Sequence, residues 1–277
     1  MGKINVYRDV AKLKNVDMFY FDTKTEGPTI LCLHGRWGRA ETWYDFIQQY
    51  GKEYRIIAPD QRGHGLSSRP VSKYTPEEMA GDIIDLLDHL DIGSIILVGH
   101  SMGAQVAGYL TMLYPNYIEA VALLDRTAAG PDEPNPLPLD QISTVDPLTE
   151  GWPLPFASLN EARTFIGEVT DTELSYQYFM NSLIERVDGY HMMFSSQAIA
   201  AGKTYDTSWY HVLPEIKCST LLIRSQGQAI ITDEDFEKME SMISNCIAYQ
   251  MSHPDHNIHL ANKEEFYQYF DQFLKTV

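Results

Sequence analysis

Six short apolar runs, separated by longer stretches of helical periodicity, limit the folds open to this 277-residue chain more than any other feature. They read "TILCLH" (29–34), "YRIIAPD" (54–60), "SIILVGH" (94–100), "EAVALLD" (119–125), "STLLIR" (219–224) and "CIAYQM" (246–251). Strands that alternate with helices predict a mostly parallel sheet covered by helices, because parallel neighbours need a long crossover between them. Two earlier segments, near Asn5–Arg8 and Val16–Phe21, are expected to form an antiparallel hairpin at one edge.

Helix signals fill the gaps. Thr75-Pro76-Glu77-Glu78 combines an N-cap, a proline at the first helical position and a capping-box glutamate. Met79, Ile83, Leu86, Leu87 and Leu90 then recur at three and four residues, which lays one stripe on the sheet. Phe266, Phe270, Phe273 and Leu274 do the same behind Asn262. From 127 to 206 the alternation stops: "GPDEPNPLPLD" and "GWPLPF" lead into aromatic-rich sequence with helical spacing, far more than one crossover requires. We read residues 127–206 as an inserted helical cap, and 1–126 with 207–277 as one core domain.

With 44% hydrophobic residues the chain can bury one large core. Its 38 acidic against 21 basic residues, net −17, argue against nucleic acid or an anionic membrane as partner. Cys32, Cys218 and Cys246 lie in or beside apolar runs without metal-site or redox-pair spacing. No signal segment and no apolar stretch of membrane-spanning length is visible, so a cytoplasmic protein acting on a small molecule is expected, as monomer or homodimer.

The chemistry starts where "SIILV" ends, at Val98-Gly99-His100-Ser101-Met102-Gly103-Ala104. A serine on a tight strand-to-helix turn stands above the carboxyl edge of a parallel sheet, and glycines two residues before and after it leave room for that turn. The Met102 amide, at the helix N-terminus, faces the same volume and suits a developing oxyanion. His34-Gly35 ends another core strand and leaves the amide of Arg36 or Trp37 as the second donor. The phrase "APDQRGHGLSS" follows the next strand with a glycine-rich loop.

These three phrases, in this order and spacing, resemble the α/β-hydrolase fold over nearly the whole chain outside the insertion. The resemblance implies a mostly parallel eight-stranded sheet with helices on both faces, no metal and no organic cofactor. It also places the base in the loop before the last helix, "SHPDHNIHLANKEEF", where His256 occupies the usual position and His253 and His259 compete. The triad acid usually follows the penultimate strand, but here Gln228 stands in its place. Asp233 and Asp235 come later and read as the first turn of a helix capped by Thr232. Asp125 is the better substitute, since haloalkane dehalogenases and some amide- and ester-cleaving relatives draw their acid from that strand end, with Arg126 beside it to keep it ionised.

Ser101, His256 and Asp125 with two amides define acyl transfer. A serine at the elbow speaks against dehalogenase and epoxide hydrolase chemistry, which the family performs with aspartate. A serine hydrolase of a small carboxylic ester or amide is therefore the expected function, with C–C hydrolysis of a dicarbonyl compound and a non-catalytic ligand-binding protein as alternatives. Trp37, His100, Arg126, Arg163 and Arg186 are substrate-binding candidates, and Arg36 is a further one, because a guanidinium fits a carboxylate.

Overall fold

The computed structural model describes residues 4–133, 135 and 137–277, so Pro134 and Pro136 of the proline-rich entry, and the first three residues, lie outside the described residues. All six apolar runs become strands. Before the long insertion come β1 (Tyr7–Lys12), β2 (Asp17–Asp22), β3 (Thr29–Leu33), α1 (Tyr44–Tyr50), β4 (Arg55–Pro59), α2 (Pro76–His89), β5 (Ile95–His100), α3 (Met102–Leu113) and β6 (Ile118–Leu124). The next stretch holds α4 (Leu159–Val169), α5 (Glu173–Met180), β7 (Leu183–Arg186), β8 (Gly189–Met192) and α6 (Ser196–Thr204). β9 (Ser219–Arg224), α7 (Asp233–Met242), β10 (Cys246–Gln250), α8 (Ile258–Ala261) and α9 (Lys263–Leu274) complete the chain.

Eight strands form one sheet in the order β1-β2-β4-β3-β5-β6-β9-β10, and only β2 runs against its neighbours. Strands buried on both faces divide their side chains by the two-residue period: Ile95 and Leu97 of β5 face α2, α3 and α7, while Ile96 and Val98 face α1 and α9. Helices therefore cover both faces. Thr75 caps α2 by accepting from the Glu78 amide, and Asn262 caps α9 by accepting from Glu265. No helix among the described residues is long and apolar enough to cross a membrane.

The sequence placed two features imperfectly. β1 begins at Tyr7 and runs to Lys12, past the expected Asn5–Arg8, because the tight turn closed by Leu13 N–H to the Val16 carbonyl (3.0 Å) sets its register on β2. Only Ala11 of that edge strand is buried, so no apolar alternation marked it. The second correction concerns the expected helical cap: its described residues hold three α-helices and a short 3-10 turn, but "LIERVDGYHM" forms the antiparallel pair β7–β8. Val187 and Asp188 form the two-residue turn between Arg186 and Gly189, and Gly189, which opens β8, adopts φ 131°. Phe156 and Tyr190 then exchange backbone hydrogen bonds of 3.0 and 2.8 Å, so the hairpin packs into a separate apolar cluster with Ile166 and Phe179.

Candidate active site

Parallel register sets the row of candidate catalytic residues. His100 pairs with Leu124, and Leu124 with Ile223, so the next residues of β5 and β6, Ser101 and Asp125, emerge side by side at the carboxyl edge. Their amides donate to the Leu124 and Ile223 carbonyls at 2.8 Å each. Both residues have positive φ, 54° and 50°, a conformation that non-glycine residues adopt only when their surroundings over-determine it. A Cβ on Gly99 would overlap the Gly103 carbonyl, and one on Gly103 would overlap the Leu33 carbonyl, so the turn closes only with glycine at both places.

Across this edge the loop after β10 brings His256. Its Nε2 lies 2.8 Å from Ser101 Oγ and its Nδ1 2.8 Å from Asp125 Oδ2. Because a carboxylate only accepts, the network assigns the proton to Nδ1 and leaves Nε2 to accept from the serine hydroxyl. Asp125 is fully buried, and its other oxygen accepts from the Ser225 amide at 2.8 Å. His100 Nε2–H donates to the His256 carbonyl at 2.8 Å, which steadies the His256 loop from behind.

The competing residues lie elsewhere. His253 is exposed and accepts from the Asp255 amide, whereas His259 is buried and stacked on Trp43 with 4.4 Å between centroids. Asp233 pairs with Arg224 at 2.5 Å and accepts from Gln228 at 2.7 Å, and Asp235 is held by Tyr210 and Thr127. Arg126 requires a correction: its guanidinium turns to Asp206 (2.6 Å) and Gln105 (2.9 Å), because both Asp125 oxygens already have partners.

On the opposite side of Ser101 the Gly35–Arg36 peptide is fixed by its carbonyl. His34 Nε2 accepts from the Gln61 amide at 2.9 Å, so its Nδ1–H donates to the Gly35 carbonyl at 2.8 Å, and the Gly38 amide donates to the same oxygen at 3.1 Å. A trans peptide points its N–H away from its C=O, so the Arg36 amide is turned from His34. Met102 opens α3 and has no acceptor within its own helix. Sequence reasoning missed the residue that anchors this loop from above: Tyr178 of α5 is half-buried and donates to the Arg36 carbonyl at 3.2 Å, while Ser182 donates to that of Trp37 at 2.9 Å. No local pattern relates residues so far apart in sequence.

A cavity of about 270 Å³ opens over Ser101, lined by Arg36, Trp37, His100, Tyr178, Phe179 and His256 among others. Of the substrate-binding candidates, the structure brings Arg36, Trp37 and His100 to it. Trp37 is held by its Nε1–H on Asp146 at 2.8 Å. Arg163 on α4 and Arg186 at the β7 turn are exposed and do not line this cavity. Among the described residues no cluster of His, Cys, Asp or Glu is arranged to hold a metal ion.

Four histidines in this region are buried and held neutral. Burial pushes His64 down to about 4 and His259 to about 3, and drives His34 and His100 well below the usual imidazole range. The unfolded chain binds their protons below pH 6.5 and the folded chain does not, so stability falls as pH drops through that value. Asp60, raised to about 6 by burial, opposes this over a narrower range. At pH 5.5, a unit below the ordinary imidazole value, each imidazole held neutral by burial costs on the order of 1 kcal/mol relative to neutral pH. The urea midpoint is expected to be clearly lower at pH 5.5 than at pH 7.5, and a flat profile would contradict neutral burial.

Such a sheet, with an elbow serine and a histidine loop at its carboxyl edge, defines a hydrolase class. Residues 28–210 match the α/β hydrolase fold family, and the chain belongs to it. It is 39% identical to epoxide hydrolase 2 of Siraitia grosvenorii over 104 residues, which cover 35% of this chain and 32% of that one. The match thus spans less than a third of that relative's length. Solved structures extend the likeness in fold to nearly the whole chain. E-2-(acetamidomethylene)succinate hydrolase superposes with TM-score 0.81 over 98% of this chain and 100% of that one at 19% identity. An esterase of Thermogutta terrifontis gives TM-score 0.74 over 98% of each chain at 23% identity.

Proposed function

We propose that the protein is a serine hydrolase that cleaves a small carboxylic ester or amide through an acyl-enzyme. One observation carries this reading: the continuous hydrogen-bonded chain from Ser101 through His256 to buried Asp125 at the edge of the substrate-sized cavity. Ser101 Oγ attacks the carbonyl carbon as His256 Nε2 takes the hydroxyl proton, and Asp125 stabilises the imidazolium. The Met102 and Arg36 amides bind the oxyanion. His256 returns the proton to the leaving oxygen or nitrogen, and the acyl group remains on Ser101. Water, deprotonated by the same imidazole, then attacks the acyl carbon and releases the acid.

Residues 127–206 act in this reading as a cap that shapes the acyl and leaving-group sites. Aspartate-nucleophile chemistry, including epoxide opening as in the similar epoxide hydrolases, has no nucleophile here because the elbow residue is Ser101. Stopped-flow hydrolysis of p-nitrophenyl butyrate is expected to release a burst of about one p-nitrophenol per chain before the steady state. A fluorophosphonate is expected to label the peptide that carries Ser101. Folded protein that shows neither burst nor label would overturn the reading.

A further inference from the structure

Three consecutive carbonyls in the loop after β3 are hydrogen-bonded, one from the loop itself and two from residues beyond β6. The Gly35 carbonyl accepts from His34 Nδ1–H at 2.8 Å and from the Gly38 amide at 3.1 Å. Tyr178 of α5 donates to the Arg36 carbonyl at 3.2 Å, and Ser182, just past that helix, donates to the Trp37 carbonyl at 2.9 Å. Arg39 makes the reverse contact, its Nε–H donating to the Asn181 carbonyl at 2.7 Å. Ser182 is itself buried and fixed: its amide donates to the Phe179 carbonyl at 3.0 Å, and its carbonyl accepts from the Met193 amide at 2.6 Å.

The Gly38-to-Gly35 hydrogen bond closes a β-turn with Arg36 and Trp37 at its centre. Trp37 has φ 63° and Arg36 keeps a negative φ, the pattern of a type II turn, which ordinarily takes glycine or asparagine where Trp37 stands. A bulky residue there is strained, and turning over the Arg36–Trp37 peptide would relieve it by passing to type I. Tyr178 and Ser182 oppose that flip, because they hold the carbonyls of the two peptides that flank the Trp37 Cα. The Tyr178 hydroxyl reaches its place only past a glycine, since a Cβ on Gly38 would overlap it.

We infer that Tyr178 and Ser182 are positioning residues for the oxyanion: they hold the Gly35–Gly38 turn in the form that presents the Arg36 amide to the carbonyl under attack, so that acyl transfer at Ser101 proceeds only with α5 seated on this loop. The inference rests on the acyl-transfer reading above. Both hydroxyls act through backbone carbonyls and touch no reacting atom. A flipped central peptide re-aims the Trp37 N–H and slackens the turn that holds the Arg36 amide, which leaves Met102 as the one fixed donor.

The test compares Tyr178→Phe, Ser182→Ala and the double variant with Tyr176→Phe, which removes a hydroxyl from the same helix on the side near Gly167 of α4. Acylation and deacylation both pass through an oxyanion, so kcat for p-nitrophenyl butyrate is expected to fall about tenfold in each single variant and about 100-fold in the double, with KM within about twofold. Butyl trifluoromethyl ketone gives a second readout: Ser101 Oγ adds to its carbonyl carbon, His256 takes the hydroxyl proton, and the carbonyl electron pair stays on oxygen as a hemiketal anion. Its Ki is expected to rise by the factor that kcat falls, while Tyr176→Phe leaves both within about twofold. The proposal is overturned if Tyr178→Phe and the double variant behave like Tyr176→Phe, or if they lower the urea midpoint and change KM while kcat and Ki hold. Tyr178→Phe, which keeps the ring, decides alone should Ser182→Ala fail to fold. A wild-type chain with neither burst nor ketone inhibition would sink the acyl-transfer reading and this proposal with it, whereas a burst and inhibition left intact in the double variant would sink the proposal only.

Discussion

Ser101→Ala is expected to lower kcat for p-nitrophenyl butyrate by about 10⁶-fold and to abolish the burst, and Asp125→Asn by about 10⁴-fold with KM nearly unchanged. The second figure discriminates between the available acids. Asp125 accepts from His256 Nδ1 and from the Ser225 amide, so an amide side chain there offers an N–H to one of two donors. The imidazole then flips or takes the wrong tautomer, and Nε2 carries a proton when it should accept one. Asp233→Asn should leave kcat within about twofold, because Asp233 is a surface partner of Arg224 and Gln228 at the start of α7. Equal losses in the two aspartate variants, or a loss in Asp233→Asn alone, would place the acid after β9. A single-turnover assay of Asp125→Asn separates slow acylation from slow product release.

That discrimination also marks how far the sequence was legible. Continuous apolar runs reveal β3, β5, β6 and β9 because those strands are buried on both faces and need no polar alternation. The glycines around Ser101 are legible for a similar reason, since backbone from two other segments passes where their side chains would be. Asp125 could be named as a strand end, but its nearness to His256 depends on parallel register between β5, β6 and β9, which no local pattern encodes.

Long-range polar contacts were the least visible layer. Arg126 follows Asp125 in sequence, yet its charge goes to Asp206 on the far side of the insertion. Tyr178 looks like one more aromatic in a cap helix, and its hydroxyl contact with the Arg36 carbonyl exists only once α5 has docked. Even the hairpin turn at Val187-Asp188 was masked by flanking residues that fit a helical period equally well. Side chains that act across the fold carry no periodic signature, whereas those that pack locally do.

Gly99→Ala should be the most destabilising single-methyl change in the chain, costing more than about 4 kcal/mol or preventing folding altogether. Its Cβ would overlap the carbonyl carbon and oxygen of Gly103 and the Ala104 Cα, all backbone atoms at the start of α3. No rotamer change relieves such a clash, so β5 and α3 must separate and the Ser101 turn must open. Gly81→Ala makes the contrasting control: it adds the same methyl inside α2, meets nothing within 4 Å, and should stabilise by about 0.5–1 kcal/mol through helix propensity. Urea denaturation of both variants reads the difference directly. If Gly99→Ala folds with a near-native midpoint and retains the burst, the tight approach of α3 to β5 is not what holds Ser101 at φ 54°, and the strain at Ser101 must be maintained by its hydrogen bonds to the Leu124 carbonyl and the Ala104 amide.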